Sequence, residues 1–231
     1  HDIVALAEVH SESVAYISGC SLVSQKIRKK SFKGPKVAGG LAVFVRKEIR
    51  HLFKPVDNNN EDSVWIEFCK GEDNMNIFIG TCYISPSQNK NSQGSLETFF
   101  KEAKSLNEKG RVIMQGDFNA RTACQPDYIK QDKMDDLFQI SNVFQPLSRN
   151  SEDTKTCPRG VELLDFCKSF DYSLLNGRKT GDIFGKYTSF QWNGSSVVDY
   201  VLSDQNIFDQ IITLLEILFL GFPTIVLYSL N

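Results

Sequence analysis

Histidine is scarce in this chain. The 231 residues hold three, His1, His10 and His51, and none follows position 51. A zinc centre built on several imidazoles has little to draw on. The six cysteines, at 20, 69, 82, 124, 157 and 167, form no C-x-x-C pair, so a thiolate zinc site of the usual spacing is not expected either. No signal peptide opens the sequence. The cysteines therefore read as reduced thiols of an intracellular protein, nuclear or cytoplasmic, and not as a disulfide framework. A strong net charge is also missing. At −2 the chain has no global attraction to nucleic acid or anionic lipid, and any such partner must be met by a local patch. Repeats and low-complexity tracts are absent as well. With 41% hydrophobic and 23% charged residues, the chain can bury a sizeable core, and its length suits one domain.

The stretch around which the rest is organised is Arg111–Ala120, RVIMQGDFNA. Val112, Ile113 and Met114 read as a buried strand ended by Gly116. Asp117 and Asn119 then stand at its carboxyl end, where open α/β sheets place ligands. Asp117 can accept a proton or face a metal, and Asn119 can donate to a phosphate oxygen. Phe118 is expected to point the other way, into the core. A plain Asp/Asn turn after a strand is the alternative.

Other strands carry comparable groups. Asp2–Val9 is a strand ending in Glu8, either an exposed loop residue or a carboxylate that needs a partner. Ser24–Lys36 holds six basic residues, Lys29 and Lys30 among them, and no acidic one. It reads as a loop that is either solvated or in contact with phosphates. Gly39–Arg46 is a further strand. Val64–Cys69 and Ile77–Tyr83 form an antiparallel hairpin, with Tyr83 at the exit. Ser95–Asn107 is a helix with Ser95 as its cap, and Leu96, Phe99, Phe100, Ala103 and Leu106 make its buried stripe. Residues 122–155 read as an irregular surface region, with a helical turn at 135–138.

Val161–Phe170 is a second helix and Tyr172–Leu175 a strand. Asn176-Gly177 is a turn signal, and Asn176 is also a candidate to face a ligand. Tyr187–Trp192 and Ser196–Leu202 read as a hairpin around Asn193-Gly194, placing Thr188 near its start. Asp199 interrupts the second strand. Alternation puts it with Val197 and Val201, opposite Val198, Tyr200 and Leu202. A carboxylate among valines is a structural partner or a catalytic one. Hard oxygen groups with few histidines favour magnesium or manganese, and such a site suits phosphoester hydrolysis.

Four ordered motifs give the set a family likeness: Ala-Glu-Val at 7–9, Tyr83 in CYISPS, Gly-Asp-Phe-Asn at 116–119, and Val-Val-Asp-Tyr-Val at 197–201. The chain resembles the endonuclease/exonuclease/phosphatase superfamily, of DNase I-like fold. LLDFCKSFDYSLLNGR and SSVVDYVLSD look like the endonuclease domains of non-LTR retrotransposons. The resemblance implies an α/β fold, a four-layer αββα sandwich with two packed mixed sheets. It also implies a magnesium- or manganese-dependent DNA-nicking enzyme from a longer polyprotein with a reverse transcriptase. By resemblance, Glu8 binds the metal, Tyr83 stabilises the transition state and Asp117 orients or deprotonates water. Asn119 holds the scissile phosphate and Asp199 orients a histidine. Asn176 and Thr188 are weaker candidates for substrate contact, with Lys29 and Lys30 on the phosphates.

The chain also departs from the pattern. The family's first-strand Asn and its final Ser-Asp-His are missing, and Ser203-Asp204 lacks the histidine. The expected domain is 1–210, followed by an aberrant tail at 211–231 in place of the last family strand. Ile211–Leu230 is apolar with only Glu216 charged, a length that would span a membrane. Gly221 and Pro223 interrupt it and no basic cluster flanks it, so a span is not the expectation. A frame change, unspliced sequence or decayed copy is, with open sheet edges and weak or no activity. Two rival readings keep the fold: a lipid or nucleotide phosphatase, and a non-catalytic nucleic-acid-binding remnant.

Overall fold

The computed structural model describes residues 2–9, 16–27, 40–69, 76–86, 90–129, 148–219 and 222–230. Two sheets pack face to face. The first contains β1 (Ile3–Leu6), β2 (Cys20–Ile27), β3 (Gly40–Arg46), β12 (Ile211–Phe219) and β13 (Phe222–Leu230), in the order β12-β13-β1-β3-β2. Every pairing in it is antiparallel, so this sheet is not mixed. The second contains β4 (Phe53–Val56), β5 (Ser63–Phe68), β6 (Asn76–Tyr83), β7 (Gly110–Asp117), β8 (Tyr172–Leu174) and β11 (Asp199–Asp204), in the order β4-β5-β6-β7-β11-β8. It is mixed, because β6 and β7 run parallel. The helix α1 (Lys90–Asn107) makes the crossover that a parallel pair requires.

The layers follow from which faces are apolar. Ile3, Ala5, Val43, Val45, Val64, Ile66, Ile79, Ile113 and Val201 meet between the sheets. The other face of the second sheet buries Phe78, Val112, Met114, Tyr200 and Leu202 against α1 and α2 (Pro158–Phe170). Phe100 of α1 stacks on Phe166 of α2 with ring centroids 3.9 Å apart. Each such ring contributes about 1.5–3 kcal/mol by leaving water. Pro158 opens α2 in the first-turn position that proline suits, and Asp171, at φ 56, ends it in the left-handed conformation.

Several elements differ from the sequence reading. α1 starts at Lys90, so Ser95 lies inside it, and its hydroxyl donates to an Asp62 carboxylate oxygen instead of capping. Ser24–Ile27 belongs to β2, not to a loop. The supposed hairpin of 187–202 is two structures. β9 (Ser189–Gln191) and β10 (Gly194–Ser196) form a short ribbon, and β11 joins the large sheet. Val197 lies just before β11 and packs with Tyr200, not with Val201. The helical turn expected at 135–138 falls outside the described residues.

The apolar run after Gln210 forms the β12–β13 hairpin after a short helix, α3 (Gln205–Phe208). β13 pairs with β1 through Ala5 and Leu6, so that edge of β1 is covered. Among the described residues, no helix is long and apolar enough to cross a membrane.

Candidate active site

Strand register builds the site. Tyr83 on β6 is the partner of Asp117 on β7, and Asp117 is the partner of Asp199 on β11. The three form one row across the sheet at its end. Facing pairs in a sheet hold their Cβ atoms roughly 5 Å apart, so the row is a real proximity. Gly116 makes it possible. Its φ is +133°, and a Cβ there would stand 2.0 Å from the Cys82 carbonyl oxygen. Only glycine lets β7 approach β6 this closely.

Asp117 is buried, at 7% exposure. Burial pushes its carboxyl well above the usual range, and the charges of Asp199 and Glu8 push it further. The Asn119 amide, donating to Asp117 Oδ1 at 2.8 Å, opposes them. Glu8 follows β1 in the other sheet and takes a left-handed backbone, φ 51. Its charge reaches Asp117 from the other sheet.

Asn119 is also left-handed, φ 46, and its Nδ2 donates to the Ile84 carbonyl at 2.9 Å. The same carboxamide also hydrogen-bonds the Asp117 carboxylate, so the side chain ties the turn to both Ile84 and Asp117. Phe118 between them is fully buried, 6.2 Å from the Phe99 ring centroid and 6.3 Å from that of Tyr200. The turn is thus pinned from below, as the sequence suggests.

Asn176 and Thr188 lie in the frame. Asn176 is fully buried, and its carboxamide spans β11, donating to Asp199 O at 3.3 Å and accepting from Val201 N at 2.9 Å. Thr188 Oγ1 accepts from Val198 N at 3.0 Å and Asp199 N at 3.2 Å. Both hold the backbone at Asp199. Lys29 and Lys30 lie outside the described residues. Lys26, from the same basic stretch, is turned inward. Its Nζ donates to Asn58 O at 3.0 Å and to Asn60 O at 2.5 Å. Burial lowers its pKa. Asp204 is a helix cap and strand tie, accepting from Asn206 N at 2.9 Å and Val112 N at 2.7 Å.

Sequence reasoning missed Arg121 and Asp153. Arg121 Nε and Nη2 form a two-pronged pair with Asp153 at 2.7 and 2.6 Å, beside the Asn119 turn. The only signal was Arg121 itself, two residues past Asn119; Asp153 sits in a stretch with no period to read.

Among the described residues, no three His, Cys, Asp or Glu side chains converge as a metal cage. The site is instead a sparse set of oxygens.

No protein-family model and no curated protein matches the chain. Solved structures do. The endonuclease domain of TRAS1, a telomere-specific non-LTR retrotransposon, aligns with a TM-score of 0.54 at 16% identity, over 93% of this chain and 80% of that one. The AP endonuclease of Leishmania major aligns at 0.59 and 10%, over 94% and 72%. A 3′-5′ exonuclease from Neisseria meningitidis aligns at 0.56 and 12%, over 100% and 89%. The fold is therefore DNase I-like, the class to which the sequence motifs pointed.

Proposed function

We propose that this chain is a metal-dependent phosphodiesterase domain that nicks DNA, of the non-LTR retrotransposon type, with low activity. The observation that carries the reading is the row Tyr83–Asp117–Asp199, together with Glu8 acting on Asp117 from the facing sheet. The motifs at 7–9, 83, 116–119 and 197–201 and the likeness to the TRAS1 domain support the retrotransposon type.

The donor set fits Mg²⁺ or Mn²⁺. Magnesium keeps several waters and takes one or two carboxylates plus substrate phosphate, so no cage of three side chains is required. The carboxyl of Asp117 supports the same fit. The charges acting on it are negative, and a cation would relieve them. Glu8 is the residue assigned to hold the ion. When bound, the ion neutralises the phosphate and lowers the cost of the charge that develops on it.

The chain's own residues supply the remainder. Asp117, its proton affinity raised, accepts the proton of a water attacking phosphorus in line with the leaving oxygen. Asn119 presents its carboxamide to a non-bridging phosphate oxygen. Tyr83 donates to the oxygens as charge accumulates there. Asp199 raises the basicity of Asp117. Within these 231 residues no imidazole after residue 51 shares this work, and the expected rate is low.

Nicking of supercoiled plasmid tests the reading. The expected result is slow, Mg²⁺- or Mn²⁺-dependent relaxation, abolished by chelation and by Asp117→Ala. Nicking of undiminished rate in Asp117→Ala overturns it. Release of phosphate from lipid or nucleotide substrates without nicking assigns the fold's other chemistry.

A further inference from the structure

β7 and β11 end at two like charges. Asp117 and Asp199 are partners in register, and each ionised carboxylate repels the other. Just past them the strands share one more backbone bond, Phe118 N to Val198 O at 3.0 Å. Beyond it the chains part. One runs through Asn119 and Arg121 to the start of α2. The other arrives from the β9–β10 ribbon through Val197.

A single carboxylate closes the gap. Asp153 Oδ2 accepts from Arg121 Nε at 2.7 Å and also from Val197 N at 3.1 Å. Asp153 Oδ1 accepts from Arg121 Nη2 at 2.6 Å and Lys155 N at 3.0 Å. The Asp153 side chain is 1% exposed and that of Arg121 28%, so the pair is shielded from water on the carboxylate side. The Arg121 backbone is itself docked on α2. Its N–H donates to Cys157 Sγ at 3.2 Å, and its carbonyl accepts from Cys157 N at 3.0 Å. Gly160 packs so closely there that a Cβ would lie 1.9 Å from Arg121 O. Asn119 O receives Arg159 Nη1 at 3.4 Å.

We infer that Asp153 and Arg121 are a positioning pair, a clip between the exit of β7 and the entry of β11 that holds Asn119 and Asp117 against Asp199. The clip closes the row at the point where the two strands separate. Asp153 touches no reacting atom, and its effect runs through Arg121 and Val197. The catalytic part of this inference rests on the nuclease reading above; the structural part does not.

Asp153→Asn keeps the shape and removes the charge that binds the fork. The first measurement is amide hydrogen exchange. Exchange at Phe118, Asn119 and Asp199 is expected to quicken at least tenfold, while Val112–Gln115 in the middle of β7 stay protected. The second is nicking. The expected kcat falls roughly 10- to 100-fold with KM within about twofold, since misplacement by about 1 Å costs on that scale. Arg121→Lys keeps a cation without the fork and is expected to show the same pattern more mildly. Should Asp153→Asn fail to fold, Arg121→Lys carries both measurements. Unchanged exchange at the three amides overturns the inference, and so does an unchanged kcat alongside a KM increase. Wild-type protein that nicks nothing in either metal defeats the nuclease reading instead, and the exchange result alone then decides the clip.

Discussion

Asp127→Ala is expected to be the most destabilising carboxylate substitution in the chain. Asp127 is 1% exposed and meets Arg178 through two parallel bonds, Nη1 to Oδ2 at 2.6 Å and Nη2 to Oδ1 at 2.7 Å. The two side chains are 2% and 0% exposed. Asp127 Oδ2 also accepts from Leu174 N at 2.7 Å. Truncation strips the guanidinium of its counter-charge in a place water does not reach and removes the partner of a buried amide. Breaking a buried pair from one side costs about 3–5 kcal/mol. Against a total of about 5–15 kcal/mol for a domain, that is a large share. At roughly 2–4 °C per kcal/mol for a chain of this size, Tm should fall by roughly 6–20 °C. Urea unfolding monitored by far-UV dichroism measures the loss directly. The double variant Asp127→Ala/Arg178→Met removes both charges and should recover most of it. A single-variant loss below about 1 kcal/mol, or a double variant no more stable than the single, refutes the reasoning.

Asp117→Asn separates stability from function. The wild-type carboxyl is held up by burial and by Asp199, so the stability it contributes is complete below the ordinary carboxylate range and is lost as pH rises through the displaced value. The variant should match wild type near pH 4, exceed it in thermal midpoint at pH 8, and nick nothing. Thr188→Val leaves the Val198 and Asp199 amides without their shared acceptor, a loss of about 2–4 kcal/mol by urea titration. Thr188→Ser should restore nearly all of it. Val226→Pro tests the β12–β13 hairpin. Val226 is partnered by Ala5 on one side and Glu216 on the other, and a central strand tolerates no proline. Lower Tm with faster exchange at Ala5 and Leu6 is the expected result; unaltered exchange there would show that β1 does not depend on the hairpin.

Much of the site was legible because its residues sit at strand ends with a local signature. Gly116-Asp117-Phe118-Asn119 is one turn, and its polar and apolar groups are written in four consecutive letters. Tyr83 and Asp199 were legible as polar groups on apolar strands. What the sequence could not convey was partnership across distance. Asn176 is 25 residues from the amide it holds at Val201, and Asp153 is 44 from Val197. No spacing rule links such positions, so the bonds that Asn176 and Thr188 make to β11 could not be read from the sequence. β2 was hidden for a different reason. Its lysine suggested solvent, whereas Lys26 folds onto the carbonyls of Asn58 and Asn60, and carbonyl acceptors leave no charge pattern. Nor could periodicity tell that the run after Gln210 is a hairpin, since a short apolar segment suits helix and strand alike until Gly221 and Pro223 divide it.

The six aspartates buried among the described residues show how the fold separates scaffold from site. Asp127 and Asp153 each hold an arginine fork. Asp182 accepts from the Gly177 and Lys186 amides, and Asp204 from those of Val112 and Asn206 with Arg111 nearby. In each of these four the cost of burying charge is offset by cations or N–H groups that the chain itself provides. Asp117 is treated differently. The charges that act on it are Asp199 and Glu8, both of its own sign, and the Asn119 amide only partly opposes them. On the nuclease reading proposed above, that repulsion is what a cation at the row's end would relieve.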